Sequence, residues 1–155
     1  MAAGGKHLGR DTPLPTAKDH SKAFGRSREA RRSALIEDYV ELIADLIEDA
    51  KEARQVDIAT RLGVSQPTVG KMLKRLVAEG YVSQKPYRGV FLTNAGLAMA
   101  RAARARHQVV EAFLRSLGIS AETARLDAEG LEHHVSAETI GAFVRAINRS
   151  KSNDQ

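Results

Sequence analysis

A mainly α-helical chain with one small β-hairpin is predicted by three features of the sequence. Apolar residues recur at helical spacing through "LIEDYVELIADLI" (residues 35–47). A second helical stretch is broken once, at "LGVS" (62–65), as two short helices joined by a tight turn would be. Then "YVSQKPYRGVFLT" (81–93) places β-prone residues on both sides of a "PYRG" turn, the pattern of a hairpin. Beyond Thr93 the spacing is helical again.

Taken in order, residues 1–28 are rich in Gly, Pro and charge and show no period, so they are expected to be a flexible basic N-terminal arm. "REARRSALIEDYVELIADLIEDAKEA" is a helix whose apolar arc is Leu35, Ile36, Tyr39, Leu42, Ile43, Leu46 and Ile47. A short helix follows at Val56–Leu62. Gly63 supplies the turn, Ser65 can cap the next helix, and Pro67 falls in the first turn, where its missing N–H costs nothing. That next helix, Gln66–Glu79, turns Val69, Met72, Leu73 and Leu76 inward. After the hairpin, "TNAGLAMARAARARHQVVEAFLRSLG" is a long helix ended by Gly118. "SAETARLDAEGLEHHV" and "SAETIGAFVRAINRS" each begin with Ser followed two residues later by an acid, which suits an N-cap with a first-turn acid. The expected division is arm 1–28, a helix–turn–helix–hairpin domain 29–93, helical domain 94–149 and tail 150–155.

Composition narrows the function. The chain has 155 residues and no cysteine, which excludes disulfides, zinc–thiolate sites and cysteine nucleophiles. No apolar run approaches the roughly 18 residues that would span a membrane, and no signal-peptide pattern opens the sequence. A soluble cytoplasmic protein is expected, with no membrane partner. The net charge of +5 is unevenly spread. Residues 1–34 carry eight Lys/Arg against three Asp/Glu, residues 35–53 one against seven, and residues 54–93 seven against two. A basic block beside an acidic one points to two kinds of partner, an anion and a cation.

The expected anion is double-stranded DNA. Helix, turn, helix and hairpin is the order of a winged helix-turn-helix, whose second helix enters the major groove. Gln66 and Thr68, near the start of that helix, are the candidate base readers, with Ser65 beside them. Lys71, Lys74 and Arg75, and Lys85 and Arg88 in the hairpin, are candidates for neutralising phosphates.

The cation would be a hard metal ion. On a helix Glu129, Glu132 and His133 share one arc, while His134 points away. Asp38 and Glu41 are also three apart, and His107 begins an apolar stretch of the long helix. Spacing alone does not distinguish Asp38 and Glu41 from a solvated acidic edge, on which Asp45 and Asp49 also lie. Nor does it distinguish His107 from a boundary histidine. A dimetal enzyme is disfavoured, because the paired Glu-x-x-His pattern, a Gly-rich phosphate loop and a nucleophile elbow are all missing. Nothing in the sequence is suited to a small-molecule substrate.

"IEDYVELI", "LGVSQPTVGKMLKRL", "KPYRGVFLT", "RHQVVEAFLRSLG" and "DAEGLEHHVS", in this order, resemble the manganese transport regulators of the diphtheria toxin repressor superfamily. The resemblance runs from about Arg28 to Ile147. It implies a homodimeric winged-helix transcriptional regulator, mainly a repressor, that binds palindromic operators when loaded with manganese(II). It further implies that the C-terminal helical lobe serves metal binding and dimerisation, and that the metal ligands are Asp38, Glu41, His107, Glu129, Glu132 and His133. Two ions per chain are expected. Four carboxylates would balance their charge, with Glu129 or Glu132 as the bridge. Apolar contact for the dimer would come from Val109, Val110, Phe113, Leu114, Leu117, Ile140, Phe143, Val144 and Ile147.

Overall fold

The computed structural model describes residues 13–153, for residues 151–153 the backbone alone. Six helices and one hairpin follow in the order α1 (Ala17–Ala50), α2 (Gln55–Leu62), α3 (Gln66–Ala78), β1 (Val82–Lys85), β2 (Gly89–Leu92), α4 (Asn94–Ser116), α5 (Ala121–Leu131) and α6 (Ala137–Asn153). The two strands are antiparallel, with Val82 opposite Leu92 and Lys85 opposite Gly89.

The 34-residue α1 is the spine, about 51 Å long at ~1.5 Å per residue. It starts well before the expected boundary of the arm. Residues 17–28 are helical, and Thr16 caps them by accepting from Asp19 N at 3.2 Å. This stretch has no apolar period because it buries almost nothing. Half of its residues are good helix formers (Ala, Lys, Arg), and it extends a helix already nucleated by packing further along. Of the rest of the arm, residues 13–16 lie outside any helix or strand and end at the extended Thr16 cap, and residues 1–12 lie outside the described residues. At the other end α6 continues to Asn153, so the expected tail is helical up to that residue.

The core runs from α1 into the helix–turn–helix and hairpin half. Ile36, Tyr39, Val40, Ile43 and Leu46 of α1 join Ile58, Val69, Met72, Leu73, Leu76, Val82, Val90 and Ala100 in one cluster. The inward stripe expected of α3 is buried at all four positions. The α1 arc is rotated slightly from expectation, with Val40 fully buried and Leu35 about half exposed. Caps fall where the side chains suit them. Gly63 takes a left-handed conformation after α2, and Ser65, Ser120 and Ser136 accept from the backbone N–H three residues on.

The hairpin and α4 are tied rigidly to what precedes them. Thr93 caps α4 by accepting from Gly96 N at 3.1 Å and donates its hydroxyl to Gly80 O at 2.6 Å. A Cβ on Gly96 would lie 2.1 Å from Tyr81 O, so only glycine allows this approach. On the opposite edge Val90 N donates to Ala53 O at 2.9 Å. Arg104 of α4 then grips Asp45 and Glu48 of α1. The C-terminal half is built on α4, which packs against α1, α5 and α6. Its buried residues are mostly small (Ala103, Ala124 and Ala128, with Val110), and the Phe113 and Phe143 rings stack with centroids 4.0 Å apart.

Candidate metal centre and nucleic-acid face

α5 stops at Leu131, and Glu132, His133 and His134 form the turn into α6. The backbone stays close to helical through Glu132 (φ −58°, ψ −32°), so the expected shared arc with Glu129 is nearly kept. What the turn adds is depth. The Glu132 side chain is 2% exposed and that of His133 6%, whereas Glu129 is 60% exposed on the rim.

Glu132 is the hub. Its Oε1 lies 3.4 Å from His133 Nε2, and its Oε2 lies 3.8 Å from His107 Nδ1. His133 Nε2 also faces Asp38 Oδ1 of α1 at 3.2 Å, and His107 Nδ1 faces Glu129 Oε1 at 3.9 Å. Donor atoms of His107, Glu129 and Glu132 all fall within 4.8 Å of one another. Glu41, one helical turn beyond Asp38, is half-buried and within Coulombic reach of Asp38, Glu129 and Glu132. The six residues implied by the resemblance therefore converge from α1, α4 and the end of α5. His134 is exposed and faces the Ala23–Ala30 stretch of α1 instead.

The electrostatics of this cluster are unfavourable without a cation. Burial, then repulsion from Glu129 and Asp38, pushes the Glu41 carboxyl up to about 7. Burial, then repulsion from Glu41, pushes Glu132 up to about 7 as well. Hydrogen bonds to Asp38 and Glu37 raise His133 to about 10. Glu132 Oε2 is buried with no hydrogen-bond partner among the described residues, which a polypeptide avoids unless something else satisfies the oxygen. An oxygen-and-imidazole donor set around an orphaned carboxylate oxygen fits a hard divalent ion.

The second face lies at the far end of α1. Gln66, Thr68, Lys71 and Lys74 are exposed along the outer side of α3. The Ser65 hydroxyl is engaged as the cap and lies 2.9 Å from Thr68 Oγ1. Arg75 is less free, since its Nε donates to Glu79 Oε1 at 2.7 Å. In the hairpin, Lys85 sits over the Phe91 ring at 5.7 Å and Arg88 is exposed. Between them Tyr87, at φ +62°, stands fully exposed at the tip.

Comparison with known proteins agrees with both faces. The iron-dependent repressor N-terminal DNA-binding domain matches residues 33–90, and the iron-dependent repressor metal-binding and dimerisation domain matches residues 93–154. The transcriptional regulator MntR of Salmonella typhimurium is 59% identical over 133 residues, 86% of this chain and 85% of that protein. The chain belongs to the MntR transcriptional regulators. The Bacillus subtilis MntR regulator is 40% identical over 105 residues, covering 68% of this chain and 74% of that one. Among solved structures, the manganese regulator SloR superposes with a TM-score of 0.64 at 32% identity, over 73% of this chain. The chain spans about half of that solved relative (53%). Membership makes the protein a DNA-binding transcriptional regulator and not an enzyme. Among the described residues no helix is long and apolar enough to cross a membrane.

Sequence reasoning missed three groups at this cluster. Glu37 Oε2 lies 2.9 Å from His133 Nδ1, and Arg106 donates to the same oxygen. Glu111 Oε2 lies 3.4 Å from His107 Nε2. Each histidine thus turns one nitrogen to the cluster and the other to a carboxylate outside it. The only sequence signal for Glu111 is its i+4 spacing from His107. Glu37 and Arg106 had none beyond adjacency to Asp38 and His107.

Proposed function

We propose that the protein is a manganese(II)-responsive transcriptional regulator, mainly a repressor, that controls genes of manganese homeostasis from the cytoplasm. It binds palindromic operators as a homodimer. Asp38, Glu41, His107, Glu129, Glu132 and His133 hold two manganese ions per chain. The observation that carries this reading is the buried Glu132, with its orphaned Oε2, at the meeting point of two histidines and three further carboxylates. The absence of sulfur from the donor set suits manganese over softer ions, and selectivity then follows from coordination number and geometry, since raw affinity favours zinc and copper.

Bound metal supplies positive charge that neutralises the four carboxylates and joins α1 to α4 and the α5–α6 turn. The polypeptide transmits the change. Asp38 and Glu41 sit on the same continuous helix that packs further along against α2 and the hairpin. Thr93, Gly96 and Arg104 fasten α4 to the hairpin end and to α1. Order gained at the cluster therefore reaches the placement of α3. In the dimer this favours the arrangement in which both recognition helices meet successive major grooves. Ser65, Gln66 and Thr68 approach bases, while Lys71, Lys74, Arg75, Lys85 and Arg88 approach phosphates.

The test is a gel-shift titration at fixed protein, with manganese in one series and a chelator in the other, beside calorimetry with manganese, iron(II) and zinc. Operator retardation in the manganese series alone, with two ions bound per chain, is expected. Equal retardation in both series overturns the metal dependence and leaves a metal-independent winged-helix regulator.

A further inference from the structure

We propose that Glu37 is a positioning residue of the metal centre, anchored by Arg106, which accepts the Nδ1 proton of His133 and so commits that ring's Nε2 to the metal. The inference rests on the metal-centre reading above and concerns a residue outside the six ligands.

Its basis is the geometry around one imidazole. Adjacent residues of a helix point about 100° apart. Glu37 and Asp38 use that divergence to reach opposite nitrogens of the same ring. Glu37 Oε2 stands 2.9 Å from Nδ1, and Asp38 Oδ1 stands 3.2 Å from Nε2. Glu132 Oε1 is also on the Nε2 side, at 3.4 Å. Nε2 therefore faces the cluster, and Glu37 lies behind the ring, where it cannot share an ion bound at Nε2.

Glu37 is itself held. Arg106 of α4 donates to Oε2, and the Ser33 hydroxyl lies 3.4 Å from Oε1. The Glu37 side chain is 13% exposed and that of Arg106 29%, so the pair is shielded from competing water. A neutral imidazole carries one proton, on either nitrogen. A fixed acceptor at Nδ1 places the proton there, leaves the lone pair on Nε2, and stops rotation of the ring. Arg106 adds a consequence, because it joins α4 to α1 at the level of the cluster without touching a ligand carboxylate.

The experiment uses the full chain, with Glu37→Ala, Glu37→Gln and Arg106→Met. Manganese affinity is read by calorimetry without DNA, and the protonated nitrogen of His133 by imidazole nitrogen-15 NMR of the zinc-loaded protein. Glu37→Ala is expected to weaken manganese binding about 10- to 100-fold, the usual loss when an outer partner of a ligand histidine is removed. Glu37→Gln restores most of that affinity, since the amide oxygen still accepts from Nδ1–H. Arg106→Met gives a smaller loss in the same direction, with a broadened or shifted Nδ1–H signal. Wild-type affinity in Glu37→Ala overturns the proposal. So does a Gln variant as weak as the Ala variant, because Glu37 would then act by charge or as a ligand. If Glu37→Ala fails to fold, unchanged affinity and spectrum in Arg106→Met are equally decisive. Failure of the unmodified protein to bind manganese sinks the metal-centre reading itself, a separate outcome from an indifferent Glu37.

Discussion

Two stretches of α1 face opposite problems. Around its last turns, Ile43, Ile58, Val69, Leu73 and Leu76 meet in a closed apolar core, and the charged side chains of α3 and the hairpin point to solvent. On the other face of α1, at Glu37, Asp38 and Glu41, the neighbours are His133 and a Glu132 buried among other acids, and the helices that carry these groups bury mainly Ala103, Ala124 and Ala128 among themselves. Small residues let helices approach closely but remove little apolar surface from water. The DNA-binding end is therefore satisfied by its own sequence. The cluster is organised around charge that the polypeptide does not neutralise, which makes its order depend on something added.

The sharpest way to break this contrast is to remove the buried charge. Glu132→Gln keeps the shape and eliminates the ionised carboxylate. Manganese-dependent operator retardation should be lost, with the apparent requirement for manganese rising about 100-fold or more, the scale of a switch of roughly 2.7 kcal/mol. In the metal-free protein the same variant should be more stable at pH 8, by about 2–4 °C in Tm for each ~1 kcal/mol relieved. Asp38→Ala should also lose the manganese response and leave the fold intact. A Glu132→Gln protein less stable than wild type without metal would show that the carboxylate supports the fold, and the contrast would fail.

Proton competition comes next in size. The carboxyls of Glu41 and Glu132 are raised from 4.5 to about 7, and His133 from 6.5 to about 10. A group with a raised pKa binds its proton more tightly when folded than when unfolded, so its contribution to stability is complete at low pH and is lost as pH rises. Glu41 and Glu132 lose theirs between about pH 4.5 and 7, and His133 between about 6.5 and 10. The metal-free protein should therefore become less stable from pH 5 to pH 9. Metal displaces these protons, so manganese affinity should rise over the same range. Thermal melts in chelator and calorimetric titrations at pH 6, 7 and 8 check both signs. A flat affinity profile would separate these groups from the ligands.

The same contrast governs what the sequence discloses. The turn at Gly63, the Ser65 cap and the inward stripe of α3 depend on residues a few positions apart, so local spacing places them closely. The helical start at Ala17 was hidden, because residues 17–28 carry no buried face whose period could announce it. The cluster was hidden for a different reason. Glu37 and His133 are 96 positions apart, and their contact exists only once α1 lies along α4 and the α5–α6 turn. Resemblance to a family pointed to the six candidate ligands, and spacing could not. Their outer partners Glu37, Arg106 and Glu111 came only from the folded arrangement.

The smallest expected effect lies on the DNA-facing side, and it separates side chains that look alike in sequence. Lys71 and Lys74 are exposed and free to displace counterions from phosphates, whereas Arg75 already donates to Glu79. Each phosphate contact contributes about 0.9 to the slope of log K against log salt. Lys71→Ala and Lys74→Ala should each flatten that slope by close to one unit and weaken binding similarly on specific and random DNA. Arg75→Ala should change it less, because breaking the ion pair frees Glu79 and the lost cation was partly neutralised. None of the three should alter manganese affinity measured without DNA, since all lie on the satisfied end of α1. A salt slope that falls most in Arg75→Ala would mean that the Glu79 pair opens on DNA. A change in manganese affinity in any of them would mean that these exposed side chains act on the cluster even without DNA, which their position gives them no contact to do.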